Sequence, residues 1–137
     1  DVMLGGDGDD RLTDIAGNNS MDGGLGRDNL FGGRERDTLA GGDHDDTLFG
    51  NDGDDSLLGG RGSDILRGGA GLDALFGGDG DDTLFGGAGP STLDGGIGSD
   101  RLVLLEGGVV AGDRGNDTII SSRGGHSTLS GGDGPTC

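Results

Sequence analysis

Aspartate recurs along this 137-residue chain at intervals of nine, each time just behind a run of glycine. Counted from Gly5, the sixth residue of eleven successive nonapeptides is Asp10, Asn19, Asp28, Asp37, Asp46, Asp55, Asp64, Asp73, Asp82, Ser91 and Asp100. Carboxylates crowded into an anionic loop offer hard oxygen donors, which suit Ca²⁺ better than Zn²⁺, a metal that favours His and Cys. Acid–base or nucleophilic chemistry finds little support. His44 and His126 lie far apart and form no HExxH helix; there is no G-x-S-x-G elbow and no Walker lysine, since all nine basic residues are Arg. Adjacent pairs do occur, but Asp9-Asp10, Asp45-Asp46, Asp54-Asp55 and Asp81-Asp82 repeat one another. A repeated pair reads as a repeated ligand site, and the chain is expected not to be an enzyme.

The elements that must position these carboxylates follow from the rest of the repeat, Gly-Gly-x-Gly-x-Asp-x-Leu-x, which runs without a gap from Gly5 to Val103. Position eight is Leu12, Met21, Leu30, Leu39, Leu48, Leu57, Leu66, Leu75, Leu84, Leu93 and Leu102. Glycines at positions one, two and four permit positive φ and let carbonyls converge, while x-Leu-x is a three-residue extended piece with one side chain pointing inward. One nonapeptide is therefore a turn plus a short strand, and two make a full coil. Coils of 18 residues stacked on one another give two short-stranded parallel sheets with leucines between them, an all-β rod on the order of 35 Å long at about 4.8 Å per coil.

The repeats closely resemble those of RTX (repeats-in-toxin, haemolysin-type) proteins, a family whose motif and calcium binding are a known repeat signature. The resemblance implies a right-handed parallel β-roll, or β-solenoid, with multiple Ca²⁺ ions between successive turns, held by loop carbonyls and by the sixth-position Asp of two stacked loops. On one edge the implied ligands are Asp10, Asp28, Asp46, Asp64, Asp82 and Asp100, with carbonyls near Gly5, Gly23, Gly41, Gly59, Gly77 and Gly95. The other edge reads Asp1, Asn19, Asp37, Asp55, Asp73, Ser91, so only Asp37, Asp55 and Asp73 are continuous. Calcium is expected between every adjacent pair of the first row and at fewer places on the second.

Beyond Val103 the register breaks. LLEGGVVA, residues 104–111, is one short and carries no Asp; GDRGNDTII, residues 112–120, is a good repeat displaced by one, so Asp117 is expected to stack above Asp100. SSRGGHSTLS is one residue longer than a repeat and restores the phase. Residues 1–103 thus read as regular calcium-binding repeats, and 104–137 as a degenerate continuation of the same roll. Glu106-Gly107-Gly108 is expected to replace a calcium loop with a plain tight turn. With Glu35 at the fourth position, where glycine is usual, the 32–40 loop is expected to be the most strained.

A formal net charge of −17 excludes a phosphate-neutralising basic stripe and hence nucleic acid, and no apolar run approaches 18 residues, so no membrane span is expected. Phe31, Phe49 and Phe85 fall on one outward strand column interrupted by Arg67. The column reads first as an aromatic ladder, and second as a surface for neighbouring repeats or rods. Asn18-Asn19-Ser20 and Asn116-Asp117-Thr118 match the glycosylation pattern by chance, and Cys137, the single cysteine, cannot form an internal disulfide. Both ends fall inside a repeat, so the chain is expected to be a fragment of a longer one. Type I secretion accompanies the family, so the localisation expected is extracellular or cell surface, with folding on calcium binding after export. The alternative is a repetitive structural rod of a filament, surface layer or adhesin.

Overall fold

The computed structural model describes residues 1–122 and 127–132. Their strands are β1 (Val2–Asp7), β2 (Arg11–Thr13), β3 (Ser20–Leu25), β4 (Asn29–Gly33), β5 (Thr38–Asp43), β6 (Thr47–Asp52), β7 (Ser56–Arg61), β8 (Ile65–Ala70), β9 (Ala74–Asp79), β10 (Thr83–Ala88), β11 (Ser91–Ile97), β12 (Arg101–Leu104), β13 (Gly108–Ala111), β14 (Thr118–Ser121) and β15 (Ser127–Ser130). Odd-numbered strands form one parallel sheet and even-numbered strands the other, in chain order, which makes a β-solenoid of about seven turns. No helix among the described residues is long and apolar enough to cross a membrane.

Register follows the repeat. Leu48 pairs with Leu30 and Leu66, and Leu57 with Leu39 and Leu75, each 18 residues away. The eighth-position side chains from Met21 to Leu102 are all buried, and with Leu104 and Val110 they form one continuous core between the sheets. Most strands are six residues long rather than the three expected, because stacked identical backbones keep pairing through the first glycines of the next repeat. Gly42, for example, pairs with Gly24 and Gly60 at φ 121°. The turn is thereby confined to positions four to six.

The register break is local. β11 pairs β13 with Ser91 opposite Gly108, a step of 17, and β13 pairs β15 with Gly108 opposite Ser127, a step of 19. One short coil and one long one cancel, as the residue count requires, and residues 105–107 form the bend between β12 and β13.

Strain does not lie where Glu35 suggested. Neither Gly33 nor Glu35 has positive φ, whereas His44 (φ 88°), Asn51 (φ 78°) and Asp113 (φ 62°) do. The coil beneath the 32–37 loop carries Asp14 and Ile15 in place of the first two glycines, and Ile15, under Gly33, has no positive φ, although Gly17, under Glu35, does (φ 81°). The Glu35 carboxylate instead accepts the Gly17 N–H at 2.9 Å. His44 sits on the exposed loop surface, its ring nitrogen 2.7 Å from the Asp43 carbonyl. His126 and Cys137 lie outside the described residues.

On the outer face of the even-numbered sheet, Phe31 and Phe49 stack with ring centroids 4.9 Å apart and planes 6° from parallel. The guanidinium of Arg11 lies 4.2 Å from the Phe31 centroid, and that of Arg67 lies 5.6 Å from Phe49 and 5.0 Å from Phe85. Arg67 therefore links the column instead of interrupting it, since a guanidinium is attracted to ring faces on both sides.

Burial decides which substitutions matter here. Leu66→Ala should lower the folding stability of the calcium-loaded chain by about 2–5 kcal/mol, while Leu58→Ala, on a half-exposed outward side chain, should cost under about 1 kcal/mol. Urea unfolding at saturating calcium measures both.

Candidate calcium-binding loops

Each sixth-position Asp follows the turn and precedes a strand, so its side chain is held at the edge of the core between one coil and the next. Asp28, Asp37, Asp46, Asp55, Asp64, Asp73, Asp82 and Asp100 are all buried. One oxygen of each carboxylate has a partner in the preceding coil. On the first edge the main-chain N–H groups of Asp10, Asp28, Asp46, Asp64 and Asp82 donate to Oδ1 of Asp28, Asp46, Asp64, Asp82 and Asp100 at 2.7–2.8 Å. Asp100 N–H donates to Asp117 Oδ1 at 3.0 Å across only 17 residues, so Asp117 takes the stacked place that its shifted repeat required.

The second edge is shorter. Asn19 N–H donates to Asp37 Oδ1 at 2.7 Å, Asp37 to Asp55 at 2.8 Å and Asp55 to Asp73 at 3.0 Å, and the series stops there because Ser91 offers no carboxylate. Asn19 instead turns its amide to the Gly17 carbonyl at 2.9 Å.

The other oxygen of each carboxylate is alone. Oδ2 of Asp10, Asp28, Asp37, Asp46, Asp55, Asp64, Asp73, Asp82, Asp100 and Asp117 is buried without a hydrogen-bond partner. These are the ten positions expected from the repeat. An ionised oxygen cut off from water and left unpaired is costly, and a hard cation is the natural partner for a row of them.

Main-chain oxygens surround the same spaces. A Cβ added to Gly5, Gly23, Gly41, Gly59 or Gly77 would come within 3.0 Å of both an unpartnered Asp Oδ2 and the carbonyl oxygen of Gly23, Gly41, Gly59, Gly77 or Gly95 in the next coil. Second-position and fourth-position carbonyls, such as those of Gly6 and Gly8, face the coil above in the same way. The glycines are thus required by close approach as much as by φ. Among the described residues no three His, Cys, Asp or Glu side chains are grouped to hold a metal. A cation between coils would therefore combine carboxylate oxygens with several carbonyls, a donor set that fits Ca²⁺.

The adjacent Asp pairs separate into two roles that the sequence merged. Fifth-position carboxylates lie outside and accept N–H groups from the following coil: Asp9 from Arg27, Asp45 from Ser63, Asp54 from Leu72 and Asp81 from Ser99, at 2.8–3.0 Å. The Ser63 N–H is the main reason that the exposed Asp45 carboxyl is held below its ordinary range, with Arg27 assisting. Ion pairs Arg27–Asp45 (3.1 Å) and Arg36–Asp54 (3.4 Å) are solvent-exposed and add little. Asp94, which the repeat does not single out, also carries a buried unpartnered oxygen. Burial and the nearby Asp113 raise its carboxyl.

Burial pushes seven sixth-position carboxyls upward, to about 7 for Asp46 and Asp82 and about 6 for Asp55 and Asp64, with Asp37, Asp73 and Asp100 raised too. Without metal, the folded chain therefore binds more protons than the unfolded chain between about pH 4 and 7. This contribution is fully present below the ordinary value of 3.8 and is lost as pH rises through 6 to 7. With calcium bound the sign reverses and acid opposes folding, because protons compete with the ion. In chelator, acidification from about pH 8 to about pH 5 should increase β-structure by far-UV circular dichroism, and with calcium present it should weaken ion affinity. A metal-free signal that falls with acid would contradict the first half.

A family model described as the RTX calcium-binding nonapeptide repeat (4 copies) matches residues 4–39, 40–75 and 76–108. Each complete match spans two coils. No curated protein matches the chain. The family is a structural calcium-binding repeat and not an enzyme family. With its nonapeptides, its stacked Asp rows and a match across most of its length, this chain belongs to the RTX calcium-binding nonapeptide repeat family.

Proposed function

We propose that this chain is a calcium-dependent folding module of a secreted protein, in which ions placed between coils convert a self-repelling acidic coil into a rod. The observation that carries the reading is the run of ten buried, unpartnered Asp oxygens, eight of which share the space beside a first-position glycine with a main-chain carbonyl of the next coil. Six adjacent carboxylate pairs lie on the first edge and two on the second. Ions at those eight joints would carry about sixteen positive charges against a formal net charge of −17. Asp10, Asp28, Asp46, Asp64, Asp82, Asp100 and Asp117 on one edge, and Asp37, Asp55 and Asp73 on the other, are the proposed side-chain ligands.

The chain's own residues supply the rest of the mechanism. Sixth-position carboxylates hold the ion with one oxygen and the neighbouring coil with the other; first-position glycines leave room for it; the leucine column gives the sheets a core once repulsion is relieved. Binding only to the folded state stabilises that state by mass action. Extracellular calcium modules commonly bind at 10⁻⁴–10⁻³ M, so such a chain stays unfolded at cytosolic calcium and folds outside the cell. The secreted location rests on the family likeness together with this affinity argument.

The deciding experiment is a calcium titration of the full chain from a chelated start at pH 7.5, followed by circular dichroism, with magnesium as control. A cooperative coil-to-β transition with calcium alone is the expected result. A chain already β-structured in chelator at that pH would overturn the folding switch and favour the structural rod. Asp64→Asn, in the middle of the first row, should shift the calcium midpoint upward several-fold, and Asp22→Asn, on an exposed strand position, should leave it in place.

A further inference from the structure

The second-edge row stops after Asp73 for a reason beyond the missing carboxylate of Ser91. Every first-position glycine from Gly5 to Gly112 except Gly86 has an Asp Oδ2 among its nearest neighbours. At Gly86 the three nearest atoms to an added Cβ are all carbon: Leu104 Cδ1 at 3.1 Å, Ser91 Cβ at 3.2 Å and Leu93 Cδ1 at 3.3 Å. Leu104 stands one coil above Gly86, at the place in the repeat where Gly32, Gly50 and Gly68 stand on the same edge. Its side chain is fully buried, as are Ser91 and Leu93. Ser91 Oγ donates to the Gly89 carbonyl of its own turn at 3.4 Å.

We propose that Leu104 is an apolar plug that takes the place of a cation, closing the second-edge ion row and joining its two coils by packing instead of by oxygen ligands. The inference rests on the reading of the Asp rows as calcium sites and adds the residue that ends one of them. Two changes separate this joint from its neighbours, and they are matched. A carboxylate at position 91 would place an oxygen against Leu104 Cδ1, while a glycine at 104 beside Ser91 would leave a void. Each substitution alone is therefore unfavourable, and together they rebuild the arrangement found at Gly68 and Asp73, where a sixth-position Oδ2 and the first-position carbonyl of the next coil share the space beside the glycine.

Calcium stoichiometry of the full chain, by equilibrium dialysis with circular dichroism to verify folding, tests this. The double variant Ser91→Asp/Leu104→Gly should bind one more ion per chain than the wild type. Ser91→Asp alone and Leu104→Gly alone should bind no more than the wild type and unfold at lower temperature. A folded double variant with no extra ion overturns the plug, and so does an extra ion in Ser91→Asp alone, since Leu104 would then block nothing. Should the double variant fail to fold, Leu104→Ala decides: an unchanged ion count with a lower unfolding temperature supports the plug, and a lost ion overturns it. A wild-type chain that takes up no calcium refutes the calcium reading of the whole rod, and the plug with it, which sets that failure apart from the others.

Discussion

One carboxylate oxygen per turn, buried between coils and given no hydrogen-bond donor, is the constraint on which the rest of this structure depends. Its partner oxygen is well held by the N–H of the coil below, so the side chain cannot swing outward without breaking the joint. The free oxygen is therefore fixed where water does not reach and where the next carboxylate stands one coil away. Coulombic repulsion and desolvation both favour the protonated form, as the raised Asp46 and Asp82 carboxyls show. A fold with so costly a polar interior must obtain a counter-charge from outside itself.

The remaining features follow from keeping that interior open. Large side chains are excluded from the first position because the space next to it is lined by oxygen, and the chain supplies glycine there at every loop whose sixth-position Asp has a buried, unpartnered Oδ2. The core is thinned to one leucine-type side chain per strand, so apolar burial alone offsets only part of the ordering cost of a chain with 37 glycines. Where Leu104 breaks the glycine rule, the carboxylate is lost as well, and carbon contacts replace oxygen ones. If the Asp rows hold calcium, ion-coordinating and apolar joints are alternatives at one geometric position, and the outward Arg–Phe column strengthens a sheet without altering that choice.

Most of the architecture was legible in the sequence because a nine-residue period leaves little freedom. Leucine at every eighth position fixed the core, the 18-residue coil fixed which Asp residues share an edge, and the residue count alone placed Asp117 over Asp100. What escaped was set by neighbours in space. Strand length depended on stacked glycine backbones that pair beyond x-Leu-x. The conformation of Gly33 is met by Asp14 and Ile15 of the coil beneath, which its own repeat does not contain. Asp45 and Asp46 look alike in the chain, and only the stacking shows that one answers to the coil above and the other to the coil below. The Asp94 carboxyl is raised by burial and by Asp113, 19 positions away, which no single repeat could announce.

The opposed directions of the fifth- and sixth-position hydrogen bonds have a consequence for how such a chain can lengthen. At the joints above Asp9, Asp45, Asp54 and Asp81 the coils are stitched upward and downward between residues 18 apart, and the two edges carry different rows. Inserting a single nonapeptide would exchange the edges for everything that follows, setting Ser91 and Leu104 over the long Asp row. Inserting a whole coil disturbs neither row. Duplication in units of 18 residues is therefore the neutral step by which this rod can grow or shrink, and the paired 17- and 19-residue coils near its end show the only kind of irregularity that leaves the rows in phase: one that is corrected within a single turn.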